Sequence, residues 1–138
     1  MRDKVNNHSD HDFHIYLSNQ FIGSGDRSTD ELKADIPEIA FGNGYSGSID
    51  TQNTFSNVGK VYTMFGESIL LTAAGGDIGP WRNILLFNFE TAVKVDPLVC
   101  HWDHGDHITI PDGTTHEILF NGAAVGQDGA MLEIKSIV

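Results

Sequence analysis

An all-β fold, an antiparallel β-sandwich or partly open barrel with one short helix, is what this sequence predicts, and three observations lead to it. Phe13, Ile15 and Leu17 alternate with His14, Tyr16 and Ser18, which is the period-two pattern of a strand with one buried face. Beyond Val58, short β-prone runs recur between turns rich in Gly, Pro, Asn and Asp, as in sandwiches and small barrels. Those runs also follow one another too closely for the crossover helices of βαβ units.

The elements follow in order. Residues 1–12 are polar and read as a flexible N-terminal arm, in which the three-residue spacing of His8, His11 and His14 is that of a solvated tail. Residues 13–138 read as a single domain, since a chain of 138 residues suits one cooperative core. After the first strand, NQFIGSGD supplies turn chemistry. The helix is expected between residues 29 and 39. Ser28, Thr29 or Asp30 would cap it and Leu32, Ile36 and Ile39 would share a face. Pro37 ends it after about two turns, and Gly42, Gly44 and Gly47 forbid a continuation. Strands are then expected at residues 58–65 and 68–72, parted by Gly66. AAGGDIGP reads as a turn, and WRNILLFNF as a strand centred on Ile84 to Phe87. Further strands are expected at 93–102, 107–110, 114–120 and 130–138.

Composition narrows the partners. Nineteen acidic residues against eight basic ones give a net charge of −11, so nucleic acid and anionic membranes are poor partners, and neither direct nucleic-acid binding nor membrane binding is expected. No run approaches the ~20 apolar residues of a membrane helix, and the N-terminus lacks the apolar core of a signal peptide. Cys100 is the only cysteine, which rules out an internal disulfide and leaves a buried thiol as the plain expectation.

The stretch CHWDHGDHITI places His101, His104 and His107 at intervals of three, and His116 follows in PDGTTHEILF. Imidazole and carboxylate are good ligands for zinc or iron. Residues three apart on a strand point to opposite faces, so His104 and His107 converge only if the chain turns at Gly105, with Asp103 or Asp106 beside them. Gly105, Pro111, Gly113 and His116 resemble the second conserved motif of cupins, although Phe120 stands where that motif has asparagine and Asn121 falls one place late. The histidine-x-histidine pair of the first cupin motif is absent before Gly105. The expectation is therefore no obligatory metal and no cofactor. A cupin-like metal-dependent enzyme using His104, His107 and His116 is the alternative. No GxSxG elbow is present, and GSGD and GNGYSG lack the context of phosphate-binding loops, so no enzyme is expected.

A broader resemblance spans roughly residues 13–138. The order FHIYLSNQ, DELKADIPEIAFGNGYSG, GDIGPWRNILLFNF, LVCHWDHG, ITIPDGTTHEILF and MLEIKSIV resembles the small β-sandwich structural proteins of tailed bacteriophages encoded near the major capsid protein. Such proteins start with an apolar strand, pass through a short acidic helix ending in a glycine–tyrosine pair, and continue through a turn-fed strand and a hairpin. His104 departs from the family's plain aromatic or small residue, so the resemblance assigns the histidines no role. It implies a non-enzymatic virion protein made in the cytoplasm of the bacterial host, a capsid decoration or head–tail-region subunit. Its partners would be copies of itself, as a homo-oligomer, and other virion proteins such as the major capsid protein. Its working residues would then be interface anchors, with Tyr45, Trp81, Phe89 and Trp102 the candidates. A carbohydrate-binding module using Trp81, Trp102 and Tyr45 is a further alternative.

Overall fold

The computed structural model describes residues 12–23, 30–59, 61–89, 95–120 and 128–135. Among them the chain forms β1 (Phe13–Ser18), β2 (Ile49–Asp50), β3 (Thr54–Val58), β4 (Val61–Glu67), β5 (Ile69–Thr72), β6 (Ile78–Asn88), β7 (Leu98–Ile110), β8 (Thr115–Ile118) and β9 (Asp128–Lys135). All pairings are antiparallel. They build a four-stranded sheet of order β2-β1-β6-β7, a three-stranded sheet β3-β4-β9 and a two-stranded sheet β5-β8. The predicted all-β class is what the chain adopts.

One apolar cluster ties the three sheets into a sandwich-like body. Phe13, Ile15 and Leu17 of β1 meet Trp81 and Leu86 of β6, Met64 of β4, Ile69 and Leu71 of β5, Ile118 of β8 and Met131 of β9. The alternation read in the sequence sets this inner face of β1. The outer face corrects the expectation of a strand buried on one side, because Tyr16 and Ser18 are buried too. Tyr16 joins Leu85 and Phe87 of β6 in a second cluster, roofed by Ile22 and Ile36. The Tyr16 hydroxyl donates to the Ile36 carbonyl at 3.0 Å, so the segment after β1 is fastened over the sheet. Burial pushes the Tyr16 phenol far above its ordinary range, with Glu38 adding to the effect.

The helical segment is shorter than two turns. It is one 3-10 turn, Lys33–Asp35. The Asp35 carboxylate turns back to accept from the Glu31 and Leu32 amides at 2.9 and 2.8 Å, and Leu32 bridges to Pro97. These contacts compete with helix propagation, and Pro37 stops it. The proposed caps Ser28 and Thr29, the histidines His8 and His11, Asn121, and all of the arm except Asp12 lie outside the described residues.

Three further expectations change. The TFSNV run forms β3, which the polar residues had hidden, and the turn read in AAGGDIGP ends early, since Ile78 already opens β6. Gly105 is not a turn between two strands either. Leu98–Ile110 is one strand, bulged where Asn83 faces Asp103 while Trp81 faces Ile108. Extra residues on β7 are thus accommodated against Arg82 alone, and Gly105 supplies the positive φ of 93° that this requires. No helix among the described residues is long and apolar enough to cross a membrane.

Candidate functional site

Bulges re-aim side chains, and the β6–β7 ladder holds one on each side of Trp81. Between Ile78 and Trp81 the extra residue belongs to β6, and between Trp81 and Asn83 the excess belongs to β7. Trp81 is only 2 % exposed. Its ring meets His104 of the β7 bulge, with centroids 6.4 Å apart, and His116 of β8 edge-on at 5.7 Å. His116 is placed by a plain strand rule: it lies two residues from the buried Ile118, opposite Leu71 of β5, so it shares the inward face.

These residues border a cleft of about 300 Å³ between the β6–β7 sheet and β8. Ile84, Trp102, Asp103, Ile108, Ile118 and Leu119 complete its lining. Trp102 is half-buried and tilts against Phe120 at 6.0 Å. The Asp103 carboxylate is held from one side by Arg82, whose Nε and Nη2 donate at 2.8 and 3.1 Å, and by the Gly105 amide at 2.8 Å. The Arg82 guanidinium beside it, then the Gly105 N–H, keeps this carboxyl below the usual carboxylate range. The Trp81 indole N–H is buried without a hydrogen-bond partner among the described residues. A buried donor left unpaired costs about 1–3 kcal/mol.

The histidines divide. His104 and His116 gather on Trp81, but His107 Nδ1 lies against the Asn19 side-chain oxygen beyond β1. His101 borders a different cavity, of about 310 Å³, with Ile22, Ile36, Leu85 and Cys100. There burial pushes the Cys100 thiol up to about 11, which leaves little thiolate near neutrality. Among the described residues no group of three or more His, Cys, Asp or Glu side chains is placed to hold a metal ion.

The four candidate anchors also divide by burial. Tyr45 is 1 % exposed: its hydroxyl accepts from the Leu17 amide at 3.1 Å and donates to Glu38 at 2.8 Å, and burial raises its pKa well beyond the ordinary phenol range. Trp81 is likewise inside. Both side chains are buried in the isolated chain. Phe89, at 50 % exposure, and Trp102 remain accessible. Phe89 stacks on His14 with centroids 4.7 Å apart and planes 15° apart, and its amide donates to the Asp12 carbonyl at 2.8 Å. Among the described residues, the exposed aromatic side chains that sequence reasoning had not singled out include Phe21 and Phe41. Phe21 lies under the Arg82 guanidinium at 4.8 Å, and Phe41 packs edge-on against Tyr45 at 6.0 Å. Their positions in glycine-flanked connections gave no periodic signal.

Comparison with family models, curated proteins and solved structures finds no match to this chain.

Proposed function

We propose that the chain is a non-enzymatic structural subunit of a tailed-phage particle, a capsid decoration or head–tail-region protein present in symmetric copies. It acts through contacts with its own copies and with neighbouring virion proteins such as the major capsid protein. The observation that carries this reading is the half-exposed Phe89, stacked on His14 where residue 12 leads into β1. Val95, in the same connection between β6 and β7, is 63 % exposed. Apolar side chains held rigidly at the surface are favourable when a neighbour covers them. The net charge of −11 suits an outer or connector position better than contact with packaged DNA. A cupin-like metal enzyme finds less support, because His107 stands on Asn19 and away from the His104–Trp81–His116 group.

Mass spectrometry of purified particles, followed by cryo-electron microscopy, tests the proposal. Density for this chain in symmetric copies, with Phe89 covered, is the expected result. Particles that lack the chain altogether would overturn it.

A further inference from the structure

We propose that the cleft between the β6–β7 sheet and β8 binds one neutral sugar ring, either a free monosaccharide or the terminal residue of a glycan. The argument starts from what the walls demand. Trp102, Ile84, Ile108 and Leu119 present apolar surface, which a ligand has to match with carbon–hydrogen faces. Trp81 lines the same cleft, and its indole N–H is buried without a partner among the described residues, so an acceptor brought against it would satisfy it. His104 and His116 flank the same ring and offer a donor or an acceptor each. A purely apolar ligand would leave all three polar groups unmatched.

Charge narrows the class further. Among the described residues no Lys or Arg lines the cleft, and Asp103 does, so an anion meets repulsion without compensation from them. A cation gains little, because the Asp103 carboxylate is already matched by the Arg82 guanidinium and the Gly105 amide. What remains is a neutral ligand with an apolar face and several hydroxyls. A pyranose ring has that form, and aromatic side chains bind it through its carbon–hydrogen face. The volume of about 300 Å³ lies at the small end for ligand pockets, hence one ring.

The inference stands apart from the virion reading, since it concerns the isolated chain and the other concerns the particle. The test is a titration of the ¹⁵N-labelled protein with methyl glycosides of glucose, galactose, mannose and N-acetylglucosamine, following the indole N–H resonances of the two tryptophans. At least one glycoside is expected to shift the Trp81 resonance saturably, with a midpoint of about 1–10 mM as befits a small polar ligand. Trp102→Ala and His116→Ala should each weaken binding about tenfold or more, and Phe89→Ala should leave it unchanged. If Trp102→Ala loses its dispersed spectrum, Trp102→Phe and His116→Asn read the same contacts. An oligosaccharide bearing the active sugar at its end should bind at least as tightly if the source is a glycan, and more weakly if a free sugar is the occupant. The proposal is overturned if none of the glycosides moves the Trp81 resonance well past that range, or if the shift survives both cleft variants. It is also overturned if acetate or choline produces the same saturable shift.

Discussion

Strand β6 pairs with β1 along one edge and with β7 along the other, and the two ladders are built differently. Along β1 six successive pairs, from Phe13 opposite Asn88 to Ser18 opposite Asn83, run without a register shift. Apolar residues cover both faces there, the inner one by the main cluster and the outer one by Ile22 and Ile36. Along β7 the register shifts three times, and the strand is exposed from Asp103 to His107. A regular ladder maximises burial, whereas an irregular one spends hydrogen bonds to aim side chains. The first edge of β6 holds the fold together and the second shapes a cleft.

Core truncation gives the sharpest test of that contrast. Phe87→Ala, on the regular side, is expected to destabilise by about 3–5 kcal/mol, read from urea unfolding. Trp102→Ala, on the bulged side, should cost clearly less because that side chain is only half-buried. Equal losses, or the reverse order, would break the comparison.

Glycine substitutions come next and probe the bulges directly. Gly79 has φ of 117°, and a Cβ there would come 3.0 Å from the Ile108 carbonyl oxygen, so Gly79→Ala should cost about 2–3 kcal/mol. Gly105 has φ of 93° with open space around it, so Gly105→Ala carries backbone strain alone, about 1 kcal/mol. Thermal unfolding of the two variants side by side orders them.

On the covered face, Tyr16→Phe removes the hydrogen bond to Ile36 and leaves a buried carbonyl to be satisfied otherwise. A loss of about 1 kcal/mol is expected. A neutral result would mean that the segment after β1 is held by apolar contact alone.

The smallest effect is electrostatic. Asp103 is held below the ordinary carboxylate range chiefly by Arg82, so the folded state releases its proton more readily than the unfolded state. Its stabilisation is complete above the unfolded value of about 4 and fades as the pH falls through the lower folded value. Urea midpoints measured between about pH 6 and pH 3 should fall on acidification, and Asp103→Asn should flatten the fall. Some slope should persist in that variant, because the Leu32 and Glu31 amides lower Asp35 in the same way. Solvent around the Arg82–Asp103 pair keeps the effect small.

Local patterns were legible and distant ones were not. The alternation of Phe13, Ile15 and Leu17 foretold the inner face of β1, and the turn residues Pro111 and Gly113 foretold a strand after them, which is β8; the inward side of His116 was not read. The burial of Tyr16 was hidden, because it depends on Ile22 and Ile36 folding over the sheet. Tyr45 was read as an anchor on size alone, and only the approach of Leu17 and Glu38 shows why it is inside. His104 and His116 were grouped only in the cupin-like alternative, together with His107, and their approach to Trp81 needs a bulge on β7 and the neighbouring sheet to bring β8 alongside. Sequence spacing pointed instead to His104 and His107, which the strand sends apart.

The order of the strands also has a consequence in time. β1 finds its long partner only at β6, with Phe13 opposite Asn88, and β4 finds one of its two partners only at β9, with Val61 opposite Lys135. Both pairings close large loops before their hydrogen bonds and buried surface repay the lost entropy. A ribosome making this chain therefore releases β1 as an apolar strand that must wait for β6 to be synthesised, and such an unpaired strand invites pairing between chains. Folding on the millisecond-to-second scale of non-local β proteins is expected. Through that interval the acidic excess of the chain, −11 over its 138 residues, keeps unfinished copies apart.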